Sequence, residues 1–173
     1  MEEDRAYLVM ELVRGKPFPH VQRPCAWSEI AHVTAALLET LARVHSVALI
    51  HRDLKPANVL VTDGGHVRIL DFGIAYRTDG TEPTIDGEGV AASPGAAIDR
   101  PRGDRLTEAS AVVGTPAYAA PEQIRNERSS AGTDLYALGV MLYEALAGKR
   151  PHEESSLPQL LRAKLTQRPA PLA

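Results

Sequence analysis

Short apolar runs separated by turn residues mark the first elements of this chain. Residues 6–13 (AYLVMELV) are rich in β-formers, which predicts a buried strand that ends before Gly15. Two further apolar stretches cover residues 59–61 and 67–70, and an Asp-Gly-Gly turn lies between them at residues 63–65. Because glycine supplies the positive φ of tight turns, this pattern predicts a β-hairpin.

Helical periodicity dominates the rest of the chain. Ser28 is a candidate N-cap for a helix with one apolar stripe, formed by Ile30, Val33, Leu37, Leu38, Leu41 and Val44. Residues 133–147 (TDLYALGVMLYEALA) are apolar on most sides, which predicts a buried helix that ends at Gly148. A shorter amphipathic stretch covers residues 157–165, and residues 16–26, with three prolines, predict a loop.

The segment from residue 78 to residue 110 has a different composition. It holds five Gly, three Pro and seven acidic residues, with almost no large apolar ones. Such a segment cannot bury enough surface to offset its ordering entropy. We therefore expect disorder over roughly residues 81–104. Loops of this length without secondary structure are usually functional or disordered.

Composition excludes several classes of protein. A net charge of -3 and the lack of a basic run argue against nucleic-acid binding. The single cysteine, Cys25, excludes an internal disulfide and favours a reducing compartment. No apolar stretch approaches the ~18 residues of a membrane span, and the acidic start is unlike a secretion signal. These features predict a cytoplasmic protein of one domain without a membrane segment.

The predicted hairpin brings polar side chains to one edge. Asn58 precedes its first strand and Asp71 follows its second, so both lie at the end away from the turn. Asp53 is only five residues before Asn58. Taken singly, each residue has an ordinary structural role in a loop cap, a turn or a strand end. Together they form a set that suits Mg²⁺, which takes one or two carboxylates plus phosphate oxygens.

Three motifs carry a resemblance to a known family. The sequences HRDLKPAN at residues 51–58, DFG at 71–73 and APE at 120–122 resemble the signature set of the eukaryotic-type (Hanks-type) protein kinases. Lys55 resembles the serine/threonine branch, and Pro121-Glu122-Gln123 resembles bacterial members. The resemblance implies an α+β fold: a mainly helical kinase-like C-terminal lobe with a short catalytic β-hairpin, the N-terminal lobe being largely absent.

The resemblance also implies boundaries within a partial kinase domain over residues 1–173. Residues 1–15 correspond to the last strand of the N-terminal lobe and the hinge, and residues 16–173 to the C-terminal lobe. The activation segment covers residues 71–122. The glycine-rich loop, the phosphate-binding strand lysine and its glutamate partner precede the hinge in the family, so we expect them to come from another segment.

For catalysis, the resemblance implies ATP and Mg²⁺ as cofactors. Asp53 corresponds to the base that accepts the substrate hydroxyl proton, and Lys55 to a cation near the transferred phosphate. Asn58 and Asp71 correspond to the metal ligands. Met10 corresponds to the gatekeeper, the backbone from Glu11 to Val13 to the groups that contact adenine, and Leu60 to the side chain beneath the adenine ring.

For regulation and docking, the resemblance implies a further group of residues. Arg52, beside the base, suggests control by a phosphorylated activation segment, with Thr107 and then Ser110 as the phosphorylation sites. Thr115 shapes the substrate-docking loop. Glu122 belongs to the same region and is expected to lack its usual arginine partner. Asp134 either caps its helix or holds the catalytic-loop backbone.

Three hypotheses of function follow from the sequence. The first is a serine/threonine protein kinase that phosphorylates Ser/Thr hydroxyls of protein substrates, with little activity in the isolated chain. The second is a non-catalytic kinase-like binding module, although Asp53 and Asp71 are both retained. The third is a small-molecule phosphotransferase, against which Lys55, the Phe72-Gly73 pair and the APE motif argue. His32 and His45 are expected to be solvent or interface histidines, not metal ligands.

Overall fold

The structure of the chain is a computed structural model that describes residues 11–19, 24–71, 76–77 and 116–172. Within these ranges, short strands alternate with helices in the first half and helices dominate the second half. In chain order the elements are β1 (Lys16–Pro17), α1 (Trp27–Ser46), β2 (Leu49–Ile50), β3 (Val59–Val61), β4 (Val67–Ile69), β5 (Tyr76–Arg77), α2 (Pro121–Ile124), α3 (Ala131–Ala147) and α4 (Leu157–Thr166).

Helix α1 packs its apolar stripe into the core. Four of its six predicted stripe residues are buried, namely Ile30, Val33, Leu37 and Leu41. Leu38 is 44% exposed and so lies at the edge of the stripe. The helix begins two residues earlier than predicted, at Trp27, with Ala26 and not Ser28 in the N-cap position. The Ser28 N-cap is wrong, because the Ala26 N–H donates to the Glu29 carboxylate at 2.6 Å and Ser28 lies inside the first turn.

Helix α3 lies against α1 and supplies much of the remaining core. It begins at Ala131, two residues before the predicted start, because the Ser130 hydroxyl accepts the N–H of Gly132 at 3.2 Å. Gly148 ends it in the left-handed conformation at φ 72°, as predicted. The helix is not buried all round, since Leu135 is 47% exposed.

The predicted hairpin is present. Strands β3 and β4 are antiparallel with Val59 opposite Ile69 and Val61 opposite Val67. Gly65 has φ 77°, which is why the turn needs a glycine there. The second strand ends at Ile69, one residue before the predicted end.

A third strand, β1, was not predicted from the sequence. Lys16 pairs with Val61 and Pro17 with Leu60, so the loop predicted for residues 16–26 is wrong at its first two residues. Gly15 permits the approach, since a Cβ there would meet the Val61 carbonyl oxygen at 2.7 Å. Strand β1 thereby joins the chain after the predicted hinge to the catalytic hairpin. A second small sheet pairs β2 with β5.

Several predictions concern residues that the structure describes only in part or not at all. The strand over residues 6–13 is wrong for residues 11–13, which form no strand and include Leu12 at 81% exposure; residues 6–10 lie outside the described residues. The disorder predicted for residues 81–104 also lies outside them. Among the described helices, none has the length and apolar character to cross a membrane.

Candidate active site

The loop over residues 51–58, called here the catalytic loop, connects β2 to β3 and is held by a buried aspartate of α3. Asp134 is 1% exposed. Its Oδ2 accepts the backbone N–H of His51 at 3.0 Å, and its Oδ1 accepts that of Arg52 at 2.9 Å. The ring of His45 lies 2.8 Å from Oδ2. Of the two roles predicted for Asp134, the second therefore holds, because Ser130 caps the helix.

His51 connects the catalytic loop to the hairpin. Its side chain is fully buried, with Nε2 2.9 Å from the Leu70 carbonyl oxygen and Nδ1 3.3 Å from the Asp53 N–H. A carbonyl can only accept and an N–H can only donate, so the contacts assign the ring proton to Nε2. The ring thereby fixes the start of the loop relative to the end of β4.

Asp53, Lys55 and Asn58 converge within the catalytic loop. Lys55 Nζ lies 2.5 Å from Asp53 Oδ2, and Asn58 Nδ2 donates to the Asp53 carbonyl oxygen at 2.9 Å. A longer contact of 3.4 Å joins Asn58 Nδ2 to Asp53 Oδ2. The other carboxylate oxygen, Oδ1, is buried and has no hydrogen-bond partner within the described part of the chain. One oxygen of Asp53 is therefore held, and the other is available as an acceptor.

The predicted metal ligands Asn58 and Asp71 lie at the same end of the hairpin. The Asn58 carbonyl accepts the N–H of Leu70 at 2.8 Å, which places Asp71 one residue beyond this bond. Asp71 is exposed, at φ 61°, and the two side chains are not hydrogen-bonded to each other. Because Asn58 uses its amide nitrogen on Asp53, its Oδ1 is the atom left for a cation.

The oxygen donors at this edge of the hairpin belong to Asn58 and Asp71. The described residues contain no group of three or more His, Cys, Asp or Glu able to hold a metal ion. One carboxylate and one amide oxygen nevertheless fit Mg²⁺, which commonly takes its remaining ligands from phosphates and water. The residues present are therefore compatible with a nucleotide-bound Mg²⁺.

The structure describes only some of the residues predicted to contact adenine. Leu60 is half-buried on β3 and lies opposite Pro17 of β1, which follows the predicted hinge directly. Glu11 is exposed and Val13 is half-buried. Met10 lies outside the described residues, as do the regulatory candidates Thr107 and Ser110 and the docking candidate Thr115.

The predicted docking region is held by contacts that sequence patterns did not reveal. Glu122 accepts a hydrogen bond from the Thr133 hydroxyl at 2.7 Å, and within the described ranges it forms no ion pair with an arginine. Tyr118 donates its hydroxyl to Glu144 at 2.6 Å. Burial, together with this bond, raises the pKa of Tyr118.

Lys164 is the least expected residue of this region, because the helical pattern offered no sign of a buried cation. It is 6% exposed, its Nζ donates to the Ala117 carbonyl oxygen at 2.6 Å and lies 5.1 Å from the centre of the Tyr136 ring. Burial, with a smaller effect of Arg150, lowers the pKa of Lys164 to about 8. Its ammonium therefore connects α4 to the segment before the APE motif.

Gln123 is a second residue that sequence reasoning missed as part of the site. Its Nε2 donates to the Arg52 carbonyl oxygen at 2.7 Å, while its Oε1 accepts the Ala120 N–H at 2.9 Å. The sequence contained one partial signal: glutamine at the third position of a helix that begins with proline matches a capping box. Its contact with a loop 71 residues away has no sequence signal.

The fold and the site together define a class of phosphotransferase built on a kinase-like C-terminal lobe. A family model described as the protein kinase domain matches residues 1–171. The chain therefore belongs to the protein kinase family, and the resemblance seen in its motifs is confirmed.

Curated relatives narrow the branch of that family. The chain is 36% identical over 170 residues to the serine/threonine-protein kinase PknA of Mycobacterium tuberculosis, covering 96% of this chain and 34% of that protein. It is 32% identical over 177 residues to the serine/threonine-protein kinase pkn3 of Myxococcus xanthus, covering 98% and 29%. A probable serine/threonine-protein kinase, pknA2 of Bifidobacterium longum, is 36% identical over 153 residues, covering 87% and 17%.

These relatives confirm the predicted bacterial serine/threonine type. The chain spans about a third or less of the length of the curated relatives named here. The family in general implies ATP and a divalent metal as cofactors, and proteins as substrates.

Proposed function

We propose that this chain supplies the catalytic loop and metal-binding edge of a serine/threonine protein kinase, which transfers the γ-phosphate of ATP to serine or threonine hydroxyls of proteins. The observation that carries the proposal is the state of Asp53. One of its oxygens contacts Lys55 at 2.5 Å, and the other is buried without a partner among the described residues. A buried, unsatisfied acceptor beside a cation suits a group that receives a proton from a substrate alcohol.

The role proposed for Asp53 is proton acceptance and orientation of the hydroxyl nucleophile. The carboxylate is set by Asn58, which contacts both its backbone carbonyl and its Oδ2. Phosphoryl transfer depends mainly on positioning and charge stabilisation, so a rigid loop is more important here than a strong base. Lys55 adds a positive charge where negative charge develops on the transferred group.

Asn58 and Asp71 are the proposed ligands of Mg²⁺, through an amide oxygen and a carboxylate. When bound, the ion neutralises charge on the phosphate oxygens and orients them. The two residues contribute oxygen ligands at adjacent positions of one hairpin end. Leu60 and the backbone of residues 11–13 are the proposed adenine contacts, and the pairing of β1 with β3 supports this by bringing the predicted hinge next to Leu60.

Arg52, Thr107, Ser110 and Thr115 keep the roles that the resemblance implies, as proposals. Arg52 is exposed beside the base, which suits a contact with a phosphorylated residue. Glu122 stabilises the docking region through Thr133 rather than through an arginine.

The test is a phosphoryl-transfer assay on a chain joined to the N-terminal lobe of the M. tuberculosis PknA kinase, because the resemblance places the phosphate-binding lysine before the hinge. We expect Mg²⁺-dependent phosphorylation of a generic protein substrate on serine or threonine. Asp53→Asn should lower kcat by roughly 10²- to 10⁴-fold, the usual contribution of a general base. Asp63→Asn, the same change in the exposed hairpin turn, is the matched control and should leave kcat unchanged.

Two outcomes would reject the proposal. Near-normal turnover of Asp53→Asn would remove Asp53 from the role of base. A folded fusion without transfer, even though it binds Mg-ATP, would favour the non-catalytic binding module instead.

A further inference from the structure

We propose that Gln123 is a positioning residue for Asp53, and that it acts by holding the peptide group between Arg52 and Asp53 in one orientation. The inference rests on the role proposed for Asp53 above. It concerns a residue that lies in α2, next to the APE motif, and whose side-chain hydrogen bonds go to Ala120 and Arg52.

The peptide group is held at both of its polar atoms. The Arg52 carbonyl oxygen accepts from Gln123 Nε2 at 2.7 Å. The N–H of Asp53, on the other side of the same peptide, donates to His51 Nδ1 at 3.3 Å. Because a peptide group is planar, fixing these two atoms fixes the direction in which the Asp53 Cα and side chain continue.

Arg52 itself has an unusual backbone conformation. Its φ is 69°, a left-handed value that non-glycine residues adopt only when their surroundings impose it. Two contacts impose it here: Asp134 accepts the Arg52 N–H at 2.9 Å, and Gln123 donates to the Arg52 carbonyl. Loss of the second contact removes a restraint on the carbonyl, which allows the peptide group to turn toward a more common conformation and to move Asp53 with it.

The two hydrogen bonds of Gln123 require a side chain of this length that ends in an amide. Gln123 uses its nitrogen on Arg52 and its oxygen on the Ala120 N–H, so it serves as donor and acceptor at once. A glutamate retains the acceptor for Ala120 but presents a carboxylate oxygen to the Arg52 carbonyl, where two acceptors repel each other. The two functions of Gln123 can therefore be separated by a single substitution.

The experiment measures amide hydrogen exchange by NMR on the full 173-residue chain, without nucleotide. Gln123→Glu keeps the helix cap and removes the contact with Arg52, whereas Gln123→Ala removes both. Gln167→Glu makes the same change in charge at an exposed residue of the C-terminal end of α4 and is the matched control. The reporter is the amide of Asp53, and the amides of Leu37 and Leu41 in α1 report global opening.

We expect the Asp53 amide to exchange roughly tenfold faster in both Gln123 variants, as for loss of one hydrogen bond in a local opening. The α1 amides and the Gln167→Glu variant should match the wild type. An unchanged exchange rate of the Asp53 amide in Gln123→Glu overturns the proposal. This holds even if Gln123→Ala raises that rate, because loss of the helix cap alone then explains the increase. An equal increase at Leu37 and Leu41 overturns it as well, since the role is then general stability.

A kinetic readout on the kinase-active fusion described above completes the test. Gln123→Glu should lower kcat roughly tenfold and leave the KM for ATP unchanged, because the residue does not contact the proposed nucleotide site. A rise in KM with unchanged kcat contradicts the assignment. The exchange measurement requires no activity, so failure of the proposed kinase function would leave this inference separately testable.

Discussion

The catalytic loop and the segment before β1 are both predicted to flank ATP, yet they differ in burial and in the contacts that hold them. The loop over residues 51–58 accepts a hydrogen bond from Gln123 of α2 and donates to Asp134 of α3 and to the Leu70 carbonyl of the hairpin, and His51 within it is fully buried. Residues 11–15 form neither strand nor helix, and Leu12 is 81% exposed. Contacts with two helices and with the hairpin therefore hold the catalytic loop, whereas residues 11–15 lie in no strand or helix.

The physical reason lies in how each region satisfies its backbone. Loop backbone groups that leave the solvent need partners, and the buried Asp134 and the half-buried Gln123 provide them at the catalytic loop. An exposed segment can satisfy its backbone with water and needs no such partners. Four predictions, made with five substitutions, sharpen or break this contrast, and they follow in order of expected effect.

Asp134→Asn should have the largest effect. The variant keeps the shape of the side chain but turns an N–H₂ toward one of the N–H donors of His51 and Arg52, which leaves a buried donor unsatisfied. We expect the free energy of unfolding to fall by about 3–5 kcal/mol, because a buried, hydrogen-bonded charge is removed and a backbone donor is left without an acceptor. Urea unfolding measures it, with exposed Asp63→Asn as the control. A loss no larger than that of the control would mean that α3 does not determine the loop.

Lys164 should make stability depend on alkaline pH. Its pKa is lowered to about 8 in the folded chain, from the ordinary lysine value of 10.5. Between these values the unfolded state binds more protons, so the free energy of unfolding should rise with pH, by at most about 1.4 kcal/mol per pH unit.

The useful window for this measurement ends near pH 10. Burial raises the pKa of Tyr118 and Tyr136, so above that pH the unfolded state loses protons first and stability falls. The lowered pKa of His152 affects stability only below the ordinary histidine value of 6.5, and Arg150 stays charged throughout. Urea unfolding from pH 7.5 to 9.5 should show the rise in the wild type and a flat profile in Lys164→Met. The same slope in the wild type and in Lys164→Met would show that another group causes the pH dependence of stability.

A pair of glycine substitutions in and after α3 should have opposite signs. Gly148→Ala places a side chain at φ 72° and a Cβ 3.0 Å from the ring carbons of Pro24, which should lower the free energy of unfolding by about 1–2 kcal/mol. Gly139→Ala lies inside the helix with open space around it and should raise that free energy by about 0.5–1 kcal/mol. Thermal unfolding compares them. Equal signs would show that the conformation at Gly148 is not what ends the helix.

Leu12→Ser should have the smallest effect, because the side chain is already 81% exposed. We expect the free energy of unfolding to change by less than about 0.5 kcal/mol. A loss above 1 kcal/mol in urea unfolding would show that this segment is held as firmly as the catalytic loop, and the contrast drawn above would disappear.

Sequence reasoning located most of the local structure and much of the site. The hairpin, its glycine turn and the convergence of Asp53 with Asn58 follow from short-range patterns, and the structure contains them. It failed where a partner was distant in the chain. It assigned β1 to a loop, since two residues carry no periodicity, and it named Ser28 as a cap where Glu29 performs that function. His45 was expected to be a solvent or interface histidine, and its contact with buried Asp134 of α3 had no sequence signal.

By itself, the amino-acid sequence determined what depends on neighbours within a few residues: strand alternation, the apolar stripe of α1, the left-handed glycine at position 148 and the order of the motifs. Tertiary structure alone decided which polar side chains satisfy the backbone of the catalytic loop. Asp134 reaches His51 across 83 residues and Gln123 reaches Arg52 across 71. Such pairings depend on how helices pack, because an unsatisfied backbone group accepts any suitable side chain that the fold brings within reach.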